Sequence, residues 1–385
     1  MRKTGNIVLL VFFALLVAVP LVTADFAGGK ISETEKRVLA SHPTLRDENG
    51  SLSPSALINS TDAWIKDNIG GRKLASDFWT TLQYRAFSRS ARQNVIIGKE
   101  DWIYYAPEAV LADYTGDNLL NEQQVETYIG WAAQLDEALK ARGIRVAWTI
   151  IPDKKTVYPE YYPDGIVPAR NGTRTDQIVR EVANRTDMRL IDLRPVIKAH
   201  KGEDPLYFIH ADDSHWNYRG AYLGVQEYCR TFGVETVPFE ACGAQEMVFP
   251  GNFNGAIQMD EPVRRPVTGR ENTYTLDNDF YDRFPQLAFS DSPESFRWRS
   301  VNEDSSLPSL LCVGDSYFVM SRDYLGQYFS SVTFLHMLDS DALGEMIEAV
   351  QPDCVLFETV ERMLQLEPEM LQRGLASMGI EAKTP

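Results

Sequence analysis

Apolar and polar positions change period along the chain, and the changes mark its elements. Ile7 to Ala24 is an uncharged apolar run behind Arg2 and Lys3. Leu74, Phe78, Leu82 and Ala86 then recur every four residues, one face of a helix. Asn94 to Ile97 and Trp102 to Tyr105, joined by Gly98-Lys-Glu-Asp101, read as a hairpin. From there strand and helix alternate. Asn121, with Gln124 three positions on, caps a helix that buries Val125, Ile129, Ala132 and Leu139 and ends at Gly143. Arg145 to Ile151 is a strand stopped by Pro152, and a helix over 175–185 precedes the short strand 189–193. Asn217 opens a helix with Ala221, Val225, Cys229 and Phe232 on one side. Strands over 309–313, 332–335 and 353–357 are separated by helices from Phe318 and over 341–350, and 360–378 closes as helix. Such alternation predicts an α/β fold, a mostly parallel sheet covered on both faces. Residues 249–298, rich in Asn, Asp, Pro and Arg, lack periodicity and read as a long surface excursion. The division expected is a leader over 1–24, a helical extension over 25–92 and the α/β domain over 93–385.

Composition narrows the function. The 385 residues carry 38 basic and 54 acidic side chains, a net charge of −16, which repels phosphate backbones and excludes nucleic acid as the natural partner. Hydrophobic content of 44% and charged content of 24% exclude wholesale disorder. Four cysteines do not make a disulfide scaffold; Cys229 and Cys242 are near enough to pair in an oxidising compartment, and Cys312 and Cys354 sit in apolar runs as buried thiols. The N-terminal run reads either as a membrane anchor or as a signal cut after Val22-Thr-Ala24. Both readings export the remainder, to the cell surface or periplasm, and we favour the anchor.

Two short segments carry chemistry. Gly314-Asp315-Ser316-Tyr317 joins a strand to a helix at the carboxyl edge of the expected sheet, where ligands bind. Ser316 is there a nucleophile facing helix N–H groups, or simply a helix cap. Asp213-Ser-His215-Trp-Asn217 supplies an imidazole base and, two positions before it, a carboxylate to orient it; His215 could also be a capping or core residue beside Trp216. His210, Asp212, Asp213 and His215 together would suit zinc, but their spacing is not that of a helix face and no further ligand cluster follows. Lys154, after the strand 145–151, and Arg322, one turn into the helix after Ser316, are secondary substrate candidates on the same edge.

Asp213-x-His215-Trp216 followed by Gly314-Asp-Ser-Tyr317 resembles the SGNH-hydrolase-like domain of bacterial alginate O-acetyltransferases, the AlgJ and AlgX type, also called DHHW proteins. Gly98-Lys-Glu-Asp-Trp-Ile-Tyr-Tyr105, Pro152-Asp-Lys-Lys-Thr-Val-Tyr-Pro-Glu160 and Phe357-Glu-Thr-Val-Glu-Arg362 support it, over residues 90–375. The resemblance implies a three-layer, flavodoxin-like domain, circularly permuted so that the nucleophile block follows the Asp/His block. It implies Ser316 as nucleophile, His215 as base and Asp213 as orienting acid, with no cofactor. It implies an acyl-serine passed to a polysaccharide hydroxyl, and a membrane-bound O-acyltransferase partner that supplies the acyl group. A carbohydrate esterase using the same three residues, or a non-catalytic polysaccharide-assembly protein, are the alternatives. The oxyanion-hole asparagine of ordinary SGNH enzymes has no plain counterpart; Asn252 and Asn254 are candidates, as is Tyr317 beside the nucleophile.

Overall fold

The structure is a computed structural model that describes residues 2–383 except 27, 33–36, 48, 254–255, 288–295 and 366. The chain divides into two compact units, Met1–Gln93 with Pro250–Met259, and Asn94–Phe249 with Asp260–Pro385.

The first unit comprises helix α1 (Arg2–Val22), the two-residue strands β1 (Ile31–Ser32) and β2 (Arg37–Val38), helices α2 (Pro54–Asn68) and α3 (Arg72–Phe87), and a separate hairpin of Asn252–Phe253 with Ile257–Gln258. Ser53 caps α2 by accepting the Ala56 N–H, and Pro54 occupies its first turn, where no N–H is needed. The four-residue period in α3 is real, but Leu74 and Phe78 stand 77% and 68% exposed instead of buried. The described side chains of α1 are mostly exposed as well. Among the described residues no helix is long and apolar enough to cross a membrane; side chains 2–5, 8, 9 and 16 of α1 fall outside that set.

The second unit opens with the hairpin β3 (Val95–Ile97) and β4 (Ile103–Tyr105), then α4 (Glu108–Thr115) and α5 (Glu122–Lys140). It continues through β5 (Arg145–Ile151), α6 (Lys154–Val157), α7 (Arg174–Arg185), β6 (Leu190–Asp192), α8 (Arg194–Ala199) and α9 (Tyr218–Phe232). An antiparallel ribbon follows, of β7 (Gly243–Phe249) and β10 (Glu261–Val267), the hairpin of the first unit lying between them in sequence as β8 and β9. The last elements are β11 (Tyr274–Leu276), β12 (Arg299–Asn302), β13 (Ser309–Gly314), α10 (Phe318–Tyr328), β14 (Ser331–His336), α11 (Leu343–Val350), β15 (Cys354–Val360) and α12 (Glu367–Ser377).

Seven strands form one sheet in the order β11-β12-β14-β13-β15-β5-β6, parallel from β14 to β6 with the two antiparallel strands at one edge. Because side chains alternate across a strand, β13 sends Leu310 and Cys312 to one core with Leu356 and Tyr222, and Leu311 and Val313 to another with Val355, Leu135 and Leu375. Both faces are thus covered, as a parallel sheet requires. The capping box at Asn121 and Gln124 forms as read, and Asn217 caps α9 with both its Arg219 and Gly220 N–H groups.

Two expectations change. Residues 360–378 are not one helix: β15 runs on to Val360 and α12 starts at Glu367, because Pro368 is tolerated only in a first helical turn. The segment 249–298 is not a featureless excursion, since it contributes β10 to the ribbon and β11 to the sheet. Most of β7 is exposed, and the buried face of β10 carries Glu261 beside Val263, so no apolar alternation marks the ribbon in the sequence. All four cysteines are free thiols, and Cys229 and Cys242 are not joined.

Candidate active site

The carboxyl end of β13 delivers the first half of the site. At the end of β13, Gly314 passes so close to β15 that a Cβ there would stand 3.0 Å from the Glu358 carbonyl oxygen and 3.1 Å from its Cβ. Glycine is therefore what lets the chain turn into Asp315-Ser316. The Asp315 carboxylate accepts the Tyr317 N–H (2.9 Å) and the Val360 N–H (2.8 Å), fixing the turn to the neighbouring strand. Ser316 is left half-buried at the start of α10.

The second half is the loop between two short paired stretches, 206–208 and 215–217, bridged at Tyr207 and Trp216. Within it Asp212 accepts the Ser214 and His215 N–H groups, both at 2.7 Å. This turn brings residues three apart onto the same side, so the Asp212 carboxylate meets His215 Nδ1 with both oxygens at 3.0 Å. With the ring proton on Nδ1, Nε2 is free to accept from Ser316 Oγ–H, 2.8 Å away. Serine and imidazole, 101 positions apart, are in contact as the proposed chemistry needs.

The carboxylate on His215 is thus Asp212, not the expected Asp213. Two positions share a side only in an extended strand, and here the backbone turns instead. Asp213 contributes its carbonyl, which accepts the Tyr105 N–H at 2.8 Å. The two carboxyls are pushed apart electrostatically. Burial raises Asp212, but the charge and hydrogen bonds of His215, with the Lys154 ammonium, outweigh it and hold Asp212 far below the usual carboxylate range. Burial raises Asp213 too, the charge of Asp212 adds to this, and Lys154, His215 and Arg362 offset only part.

Ile103 N–H donates to the Ile209 carbonyl at 2.8 Å. Buried Glu261, on β10, accepts the N–H groups of Ile209, His210 and Ala211 at 2.8–3.0 Å. Sequence reasoning missed Glu261, whose partners lie some fifty positions away. Glu261→Gln turns an amide NH2 toward N–H donors, and is expected to destabilise the fold by about 2–3 kcal/mol, the worth of hydrogen bonds to a charged acceptor. Denaturant melts check the loss, and a stability unchanged from wild type would contradict the role given to Glu261.

The remaining candidates are scaffold. Tyr317 is fully buried: its hydroxyl donates to the Ser214 carbonyl (2.5 Å), its ring packs 4.8 Å from that of His215, and its carbonyl accepts Trp216 Nε1–H. It shapes the base rather than facing substrate. Arg362, at the end of β15, reaches Tyr317 Oη (3.3 Å) and Asp153 (2.5 Å), which Lys155 also pairs at 2.8 Å. Lys154 is buried as well, not solvated on the sheet edge. Arg322 is half-buried on α10, its charge felt by Tyr218 and Tyr274. Asn252 belongs to the first unit, and Asn254 lies outside the described residues. The N–H of Ser316, at the N-terminal end of α10, takes no acceptor among the described residues, which leaves it open to a ligand. His210 points its ring toward the Asp260 carbonyl, and no group of metal-ligating side chains converges among the described residues.

The chain is similar to known proteins. It is 24% identical over 166 residues to a probable alginate O-acetylase AlgJ of Pseudomonas fluorescens, covering 43% of this chain and 40% of that one. Against the probable alginate O-acetylase AlgJ of Pseudomonas aeruginosa it is 24% identical over 325 residues, 78% of each. The chain thus spans less than half of the first relative and over three quarters of the second. A crystal structure of a DHHW family protein from Eubacterium siraeum shares the fold, with a TM-score of 0.51 at 14% identity over 76% of this chain and 98% of that one. The model of the family described as SGNH hydrolase-like domain, acetyltransferase AlgX, matches residues 95–331, more than half the chain, and it is to this family that the chain belongs.

Proposed function

We propose that the chain is a polysaccharide O-acetyltransferase working outside the cytoplasm through an acetyl-serine on Ser316. The observation that carries this is the 2.8 Å contact of His215 Nε2 with Ser316 Oγ, backed by Asp212 on Nδ1. In this reading His215 takes the Oγ proton as Oγ adds to the acetyl carbonyl, and the Ser316 N–H stabilises the developing oxyanion. Collapse expels the donor's leaving group, protonated by the imidazolium. A sugar hydroxyl, deprotonated by His215 in turn, then takes the acetyl group and frees the serine. The AlgJ relatives, probable alginate O-acetylases, support acetyl as the group and a polysaccharide as the acceptor.

The rest of the reading concerns place and partner. The positive start and apolar run of α1 support an exported chain held at the cytoplasmic membrane. The acetyl group is then delivered by a membrane-bound O-acyltransferase.

The test is direct. Full-length protein is mixed with a chromogenic acetyl ester, with and without an oligosaccharide acceptor, and the Ser316-containing peptide is weighed. One acetyl group on that peptide, with acetylated sugar when acceptor is present, is the expected result. Free acetate alone would turn the reading to an esterase, and turnover without acyl-serine would remove the mechanism.

A further inference from the structure

Helix α3 turns its polar side inward. Thr80 is buried and the Tyr84 ring lies 5.5 Å from that of Phe253, so this side holds α3 to the first unit. The apolar positions stand on the opposite side. Leu74, Phe78 and Leu82 follow one another at four-residue steps, with Ala75, Trp79 and Ala86 beside them, and of these six only Leu82 is half-buried. A bulky apolar stripe left facing water marks a surface that something covers.

Two observations say what covers it. The first is where α3 begins. The Gly70 N–H donates to the Pro20 carbonyl at 2.9 Å, and the Asp25 N–H to the Asn68 carbonyl at 2.8 Å. Gly70 also lies so close to Thr23 that a Cβ would not fit. The turn ahead of α3 is thus fastened to the C-terminal end of α1, where the apolar run stops, and Phe26 just beyond is exposed as well. The second observation is charge. In a chain of net charge −16, residues 72–92 carry Arg72, Lys73, Arg85, Arg89 and Arg92 against a single acid, Asp77, which Lys73 already meets at 2.6 Å. Arg85, seven positions after Phe78, shares its face, and its long stem can lie along the stripe with the charge held outward. An apolar face bearing Phe and Trp, with a basic margin, is the make-up of a helix that lies flat in a lipid headgroup layer.

We propose that α3 lies flat at the surface of the membrane that α1 enters, with Leu74, Phe78 and Trp79 among the upper acyl carbons and its basic residues on the phosphates of anionic lipids. This inference rests on the export and anchoring part of the reading above, not on its chemistry. The full chain is reconstituted into phosphatidylcholine vesicles with or without phosphatidylglycerol. Cys242→Ser removes the half-buried thiol, the other three cysteines being buried. An environment-sensitive dye is then attached at Phe78→Cys, or at Ser76→Cys, which two helical positions turn to the other side. Phe78 is largely exposed, so its replacement removes no buried contact, and Leu74→Cys, equally exposed, repeats the measurement should that variant not fold. At position 78 the emission is expected to shift to the blue, and further with phosphatidylglycerol. Quenching there is expected to be several-fold stronger from lipids brominated about 5–10 Å below the headgroup boundary than from lipids brominated at the bilayer centre. The dye at position 76 is expected to stay in water. A dye at 78 that stays in water while the chain floats with the vesicles overturns the proposal and leaves the anchor standing; a chain that does not float overturns both. Shielding that follows protein concentration at fixed lipid would assign the face to a second copy, and shielding only in vesicles that carry a membrane protein would assign it to that protein; either result overturns the proposal. A dye that behaves as expected on a chain that forms no acetyl-serine would sink the acetyltransferase reading and leave this one standing.

Discussion

Ser316→Ala is expected to lower turnover of an acetyl ester by about 10⁴-fold or more and to abolish the acylated peptide, the scale on which loss of a nucleophile acts in a serine triad. The hydroxyl is the group His215 Nε2 touches, and it makes no second hydrogen bond among the described residues. What remains is attack by water, with the imidazole and the helix-end N–H still in place. The loss is chemical, not structural. Ser316 is half-buried, its backbone carbonyl keeps the Val319 N–H, and the turn around it is held by Asp315 and Gly314. Stability is therefore expected within about 0.5 kcal/mol of wild type, the range for substitutions that remove no buried contact. Parallel kinetics and melting curves check both halves. A variant that keeps its ester turnover removes Ser316 from the mechanism, whatever its fold.

The frame behind that serine was legible because it follows from local pattern. The run Val146–Ile151 is a buried strand, apolar at every position but Thr149, and Asn121 with Gln124 declares a helix start through its own side chains. Elements whose burial is lopsided or slight were not. β10 pairs with β7, but its buried positions carry Glu261 and Pro266 beside Val263, so no apolar alternation announces it. The site divided in the same way. Serine before a helix and histidine in a loop are signals carried by neighbours. Whether Asp212 or Asp213 meets His215 depends on the path of four residues, and the sequence offers an aspartate for each path. Tyr317 and Lys154 were placed at the right edge of the sheet but given to the oxyanion and to substrate. Their burial is decided by the Ser214, Asp212 and Ile103 carbonyls, which only the folded chain brings to them.

The choice between the two aspartates carries the second large effect. In Asp212→Asn, Oδ1, though 3.0 Å from Nδ1, is already committed to two backbone N–H groups at 2.7 Å, and the second atom facing Nδ1 becomes a donor. A donor there favours the tautomer with its proton on Nε2, which cannot take a proton from Ser316. It also removes the negative charge that steadies the imidazolium. The expected fall in kcat is about 10³- to 10⁴-fold, the cost of the same change in a serine triad. Asp213→Asn is expected to cost less than about tenfold, as it removes no orienting bond. Its carbonyl still accepts the Tyr105 N–H, and burial with the Asp212 charge already biases the native side chain toward its neutral form, which an amide imitates. Steady-state kinetics of the two variants on one ester separate them. If Asp213→Asn is the crippled enzyme and Asp212→Asn the mild one, the loop in the working protein is extended where it is turned here, and the imidazole takes its orientation from the residue two places away.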